Sequence, residues 1–377
     1  MTHIDDLTAS AAPDARVAII DTADDTRPWI PQLKTRGVQV IIRYLALGRS
    51  NSLPHKRIID NIGPGATLSE AAQLLGNGFA LVLVYEWGNS SPGKFVFGVD
   101  ANGKPKVGAR DVDYVKMATD EADADLTAAL AQAAQIGLPD APIYFTIDFD
   151  LTQGSGGAQS GRGDPVVYSD GTPVTNDTAF AACSAYFQRL NARLGKARLG
   201  LYAGGWASEQ LRGLISYSWV AQSAGFTDTA KYLRSGSWHL VQQRDWAWFL
   251  GRDCSESLDI DTDIQNPGVT DIGARNLAGR FLVDAARTQA IFAARYVAKQ
   301  EVPVYSQKNT ASPVINKSSC SNGVPVTVSK IKHNNSVRVF EDDGTWLKVD
   351  MDEDGVADGF APKSVFVANI KQTPDYS

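Results

Sequence analysis

Two aspartates, Asp148 and Asp150, end the stretch Pro142-Ile-Tyr-Phe-Thr-Ile-Asp-Phe-Asp150. On an extended strand alternate side chains share a face. Tyr144, Thr146, Asp148 and Asp150 therefore point one way, and Ile143, Phe145, Ile147 and Phe149 the other. The two acids stand about 6–7 Å apart at the backbone. Paired carboxylates are what most glycosidases require: one protonates the leaving oxygen, and the other attacks or stabilises the oxocarbenium-like centre. Closely placed like charges raise one of the two pKa values, which suits a proton donor. Other acids stand in or after further apolar runs: Asp21 after Val17-Ala-Ile-Ile20, Glu86 after Ala80–Tyr85, and Asp261 within Leu258–Asp263. Tyr44, Tyr85, Tyr202, Trp206, Gln222 and Gln242 lie near the ends of such runs and suit contacts with sugar rings and hydroxyls. From residue types alone, an alternative stays open: the acids cap helices, or hold a hydrated Mg²⁺ or Ca²⁺.

Other chemistries find little support. The four histidines, His3, His55, His239 and His333, form no metal-binding pair, and no Gly-x-Ser-x-Gly elbow is present. Cys183, Cys254 and Cys320 are widely spaced and odd in number, so they suggest idle thiols rather than a disulfide framework. A net charge of −6 argues against a nucleic-acid partner. No run reaches the ~18 apolar residues of a membrane span. The first residues carry no cationic leader with an apolar core.

Positioning these acids requires strands that converge. Residues 1–15 are expected to be a disordered leader. Eight apolar runs follow, at Val17–Asp21, Val38–Leu45, Ala80–Glu86, Pro142–Asp150, Ala197–Tyr202, Tyr217–Gln222, Trp238–Gln243 and Leu258–Asp263. Helical segments alternate with them, among them the alanine-rich run Thr119–Ile136 and the run Asp177–Leu194. Thr67-Leu-Ser-Glu70 has the form of a capping box. A long helix is expected over Ile272–Lys299. This alternation over residues 16–299 is the scale of an eight-stranded β/α (TIM-type) barrel, in which strand ends share one face. A doubly wound open sheet is the rival, but no glycine-rich phosphate loop follows the first strand.

After Glu301 the helical signals stop. Short strands at Val302–Tyr305, Pro325–Val328, Val337–Phe340, Trp346–Val349 and Phe360–Phe366 predict a small all-β domain over 300–370, with a tail at 371–377. Within it, Asp350, Asp352, Asp354 and Asp358 occupy positions 1, 3, 5 and 9 of a calcium loop, with Gly355 at 6. Ala361 stands where an EF-hand has its bidentate Glu, so the expectation is a structural calcium site or an acidic hairpin.

Taken together, Ile143–Asp150, Leu199-Gly-Leu-Tyr-Ala-Gly-Gly205, Ser218-Trp-Val-Ala-Gln222, Trp238-His-Leu-Val-Gln242 and Asp259-Ile-Asp-Thr-Asp263 resemble the glycoside-hydrolase-like domain once catalogued as domain of unknown function 1906. That family is similar to the family 25 lysozymes, barrel muramidases that cut peptidoglycan glycan strands and carry Asp-x-Glu after the fourth strand. Here the pair is Asp148-x-Asp150, ending in an acid one methylene shorter, and Asp263 stands where the family has Asn. A displacement of about 1 Å can cost on the order of a hundredfold in rate. Gly344–Val349 and Gly359–Phe366 resemble bacterial SH3 domains, which commonly bind cell-wall peptides.

The resemblance implies a peptidoglycan hydrolase with a wall-binding domain and no cofactor for catalysis. Asp150 would be the acid, Asp148 would orient the acetamido group or stabilise charge, and Asp21, Glu86 and Asp261 would complete the floor. Such a chain is synthesised in the cytoplasm and reaches the wall after lysis or by non-classical export, as a phage lysin or antibacterial effector does. Two alternatives remain: a non-catalytic glycan-binding module on the same barrel, and a metal-assisted phosphodiester hydrolase.

Overall fold

The structure, a computed structural model, describes residues 18–35, 37–45, 58, 69–221, 226–248, 258–283, 294–321, 324–351 and 357–368. Eight strands form the ring of its first sheet: β1 (Ile19–Thr22), β2 (Val40–Tyr44), β3 (Ala80–Tyr85), β4 (Ile143–Thr146), β5 (Leu199–Ala203), β6 (Tyr217–Val220), β7 (Leu240–Trp248) and β8 (Leu258–Gln265). Each pairs with the next, and β8 pairs back with β1, so the sheet closes into a barrel. An open doubly wound sheet is thereby ruled out. From β1 to β7 all pairings are parallel, whereas β8 runs antiparallel to both β7 and β1. The connection from Trp248 to Leu258 is shorter than the dozen or more residues a parallel crossover needs.

Period-two alternation sorts the side chains. Ile19, Val40, Val82, Tyr144, Trp219 and Leu240 fill the barrel interior. Ile20, Ile41, Leu83, Phe145 and Leu201 face the helices. Gly200 is required on β5, because a Cβ there would lie 2.7 Å from the Tyr144 ring.

The helices are α1 (Ile30–Thr35), α2 (Glu70–Gly76), α3 (Gly93–Phe97), α4 (Tyr114–Gln135), α5 (Asn176–Leu194), α6 (Gly205–Leu211) and α7 (Thr229–Arg234). Three of their starts are capped by side chains: at α4 Asp113 accepts from the Lys116 amide, and at α5 Thr175 from that of Thr178. At α2 the cap is Ser69, whose hydroxyl accepts from the Ala72 amide. Thr67 of the expected capping box lies outside the described residues, and Glu70 has a role of its own. Its carboxylate is fully buried and takes the Arg43 guanidinium in a two-point pair, at 3.0 and 2.9 Å. Glu70 also accepts from the Thr26 amide and hydroxyl, and Arg43 donates to the Thr22 carbonyl. This pair ties the loop after β1 to β2 and α2.

The helix expected over Ile272–Lys299 does not form in the described part of that span. Residues 275–280 make a hairpin of β9 (Arg275–Asn276) and β10 (Gly279–Arg280) instead. Ile272, Ala274 and Val283 plug the barrel interior, and the Tyr144 hydroxyl donates to the Ile272 carbonyl at 2.8 Å. Further on, β11 (Ala294–Ala298) belongs to the second sheet.

That sheet holds β11 with β16 (Ser336–Asp342), β17 (Trp346–Asp350), β18 (Gly359–Pro362) and β19 (Phe366–Ala368), all antiparallel. Two small ladders accompany it: β12 (Val302–Pro303) with β15 (Lys330–Ile331), and β13 (Lys317–Ser321) with β14 (Val324–Val328). The result is an antiparallel half-barrel around Val304, Val337, Val339, Leu347, Val349 and Phe366.

Candidate active site

The interior side of most strands changes from apolar to polar at one end of the barrel. Above the apolar layer, the same alternation brings Asp21, Tyr44, Glu86, Asp148, Tyr202, Gln242 and Asp261 to the mouth. Because β8 is reversed, Asp261 stands above Asp263: Asp21 pairs with Asp261, and Ile19 with Asp263 one layer below.

Gln242 organises the floor. Its Nε2 donates to Asp21 Oδ2 at 3.0 Å and to Asp261 Oδ2 at 2.9 Å. Its Oε1 accepts the Tyr202 hydroxyl at 2.8 Å. The Tyr44 hydroxyl donates to Asp21 Oδ1 at 3.1 Å. Asp263, which is buried, accepts from Trp219 Nε1 at 2.7 Å and is hydrogen-bonded to Asp21. Two carboxyl groups in contact out of water need a proton between them. Burial pushes the pKa values of both above the usual carboxylate range. For Asp263 the charges of Asp21 and Asp261 add to the rise, and for Asp21 the donors Gln242 and Tyr44 oppose it.

Asp148 has a different setting. It is partly covered, and burial, followed by the charge of Glu86, lifts its pKa from 3.8 to about 7. Its amide donates to the Asn89 carbonyl at 3.0 Å. Asp150 is engaged elsewhere: its Oδ1 accepts the Thr227 amide at 2.7 Å and its Oδ2 the Thr227 hydroxyl at 2.9 Å. The acid that the resemblance assigned to proton donation thus anchors the loop before α7. The one assigned to orientation is poised to exchange a proton near neutral pH.

Other expected residues fall in varied places. Tyr44, Tyr202 and Gln242 join the floor. Tyr85 is a correction: it is odd in the alternation, fully buried on the helix side and packed on Phe145, with ring centres 5.8 Å apart. Trp206 stands in the first turn of α6 and packs edge-on against Phe180 at 5.0 Å. Gln222 lies outside the described residues, as do Asp352 and Asp354. In the second sheet Asp350 is fully buried on β17. Asp358 accepts the Lys317 ammonium and the Met351 amide, both at 2.7 Å, so its oxygens already serve a protein cation and a turn.

The sequence reading passed over Trp219, Thr227, Asn89 and Lys94. Asn89 and Lys94 sit in the Gly88–Lys116 stretch, whose Gly/Lys-rich composition suggests an insertion. The one available signal was a lysine inside the apolar run Gly93-Lys-Phe-Val-Phe97. Lys94 is fully buried, 2.6 Å from Asp125. A cavity of about 410 Å³, lined by Tyr217, His239 and Asp271, lies at the opposite end of the barrel. Arg275 and Arg280 pair with its Asp271, and it does not adjoin the acids. Among the described residues no three His, Cys, Asp or Glu side chains are arranged to hold a metal ion. Between Asp21 and Asp261 stands the Gln242 amide.

A closed barrel with carboxyl groups gathered at one mouth is a glycoside-hydrolase-like architecture. Residues 31–160 match the family of the Rv2525c-like, glycoside hydrolase-like domain. No curated protein matches the chain. Among solved structures, the Mycobacterium tuberculosis Tat-secreted protein Rv2525c in complex with HEPES is 20% identical, over 66% of this chain and 95% of that one, with a TM-score of 0.40. A GH18 chitinase from Pseudoalteromonas aurantia is 10% identical over 58% and 72% of the two chains, with a TM-score of 0.33. The GH53 catalytic domain of Ignisphaera aggregans is 16% identical over 60% and 66%, with a TM-score of 0.31.

Proposed function

We propose that the chain hydrolyses a glycosidic bond in cell-wall glycan, with Asp148 as the proton donor. The observation that carries this is a single one: Asp148 stands at the barrel mouth beside Glu86, with its pKa lifted to about 7. A carboxylic acid that keeps its proton near neutral pH can give it to the leaving oxygen. The negative charge of Glu86 faces the oxocarbenium-like centre that then forms. Asp21, Asp261 and Gln242 hold the sugar hydroxyls from below. The Tyr202 ring closes one wall, itself packed on Trp219 at 4.5 Å between centres. Asp150 acts by anchoring Thr227 rather than by transferring a proton.

The substrate assignment to peptidoglycan strands rests on the resemblance, and so does a wall-binding role for the second sheet. Trp346 and Phe360 of that sheet, with Tyr305 bridged to Phe360, are partly exposed aromatics suited to a wall peptide.

Purified peptidoglycan is the test. The wild-type chain should release reducing ends, and mass spectrometry of the fragments names the bond cut. Asp148→Asn should lose ~10²–10⁴-fold in rate, the usual worth of a general acid. Asp150→Asn should keep more activity than Asp148→Asn. The reverse order would return the proton to Asp150. Retention on sacculi without soluble fragments would leave a glycan-binding module.

A further inference from the structure

We propose that Lys94 is a positioning residue of the mouth: acting through Asn89, it fixes the separation between the Glu86 and Asp148 backbones. The β3–β4 ladder ends at the pair Tyr85 and Phe145. Beyond it the backbone groups of both strands still need partners, and Asn89 supplies them. Its carbonyl accepts the Asp148 amide at 3.0 Å, and its Nδ2 donates to the Thr146 carbonyl at 2.6 Å. Its Oδ1 accepts the amide of Trp87, the residue after Glu86, at 2.7 Å. One side chain therefore bridges the segment carrying Glu86 to the segment carrying Asp148.

That bridge works only if the amide faces one way. Lys94 reinforces the orientation that the Trp87 amide and the Thr146 carbonyl select, because an ammonium donates and never accepts. Its Nζ lies 2.6 Å from Asn89 Oδ1, which leaves Nδ2 toward the Thr146 carbonyl. Asp125 Oδ2 holds the ammonium at 2.6 Å and also accepts the Tyr186 hydroxyl at 2.8 Å. The rings of Phe95 and Tyr186 cover the ammonium, with centres 5.6 and 5.4 Å away. Lys94, Asp125 and Tyr186 are fully buried, and Asn89 nearly so. A buried ion pair is seldom more stabilising than an apolar replacement of similar volume. What Lys94 adds over a methionine is a second donor on Asn89 Oδ1, which holds the bridging amide in place.

The inference deepens the assignment of Asp148 as the working acid, yet its test does not depend on turnover. Two variants are compared with the wild type. Lys94→Met/Asp125→Leu/Tyr186→Phe removes the whole polar set, so no lone charge stays buried. Asn89→Ala removes the bridge and leaves the ion pair. Carbon-detected NMR follows the titration of the Asp148 carboxyl, which Glu86 faces from β3 and Tyr202 from β5. The wild-type midpoint is expected at about 7. In both variants the gap opens to water, and the midpoint should fall by about one unit or more. A purely structural Lys94 would lower the melting temperature and leave the Asp148 midpoint in place. An unchanged midpoint in either folded variant overturns the proposal. A chain that binds glycan without cutting it would fail the hydrolysis test and still decide this one.

Discussion

Replacing Asp148 by Asn should make the protein more stable, by an amount that grows with pH. Burial and the Glu86 charge raise the Asp148 pKa from 3.8 to about 7. Between those values the folded chain keeps a proton that the unfolded chain has released. The unfolded state then binds fewer protons, so stability falls as pH rises through that window. A shift of ~3 units at ~1.36 kcal/mol each sets the full penalty at ~4 kcal/mol above pH 7. At pH 5 only ~1.5–2 kcal/mol of it is felt. Asn carries no charge in either state, so the variant escapes the penalty at every pH. The gain of Asp148→Asn over wild type should therefore rise by roughly 2–3 kcal/mol from pH 5 to pH 8. Asp21 and Asp263 titrate in both proteins and cancel in the difference. Urea unfolding followed by tryptophan fluorescence measures it, since Trp346 is the only one of the eight tryptophans beyond residue 300. An equal gain at both pH values would show that Asp148 titrates as an ordinary carboxylate. The proton-donor assignment would then lose its basis.

Two further perturbations probe the supports of the site. Arg43→Met strands the buried Glu70 carboxylate and should cost about 3–5 kcal/mol in urea unfolding, most of which Arg43→Met with Glu70→Leu recovers. An equal loss in the double variant would show that charge burial is not the cause. Gly161→Ala places a Cβ 2.5 Å from the Asp148 carbonyl oxygen. It should lower stability by about 1–3 kcal/mol and cut glycan hydrolysis on the order of a hundredfold by moving Asp148. Gly213→Ala, which meets nothing within 4 Å, serves as the silent control in thermal melts and rate assays.

Much of the mouth could be read from the sequence because strand alternation is local. Ile143, Phe145, Ile147 and Phe149 lie against the helices, and Tyr144, Thr146 and Asp148 turn inward, as the two-residue period requires. The same rule applied to β3 would have excluded Tyr85, which shares parity with Leu83 rather than with Glu86. The closed eight-stranded barrel followed from strands and helices in alternation, and the second domain from the loss of helical signals after Glu301.

What the sequence left open depends on partners far along the chain. The direction of β8 is set by a connection whose length shows only once β7 is seen to run to Trp248, and with it Asp261, not Asp263, stands opposite Asp21. Thr227 lies 77 residues from the Asp150 it occupies, and Gln242 lies 221 residues from the Asp21 it bonds. Local spacing placed Asp148 and Asp150 on one face as near equals. The tertiary structure separated them, because amide donors and solvent exclusion act on a carboxylate through space: one acid is tied down by Thr227, and the other is left to hold a proton.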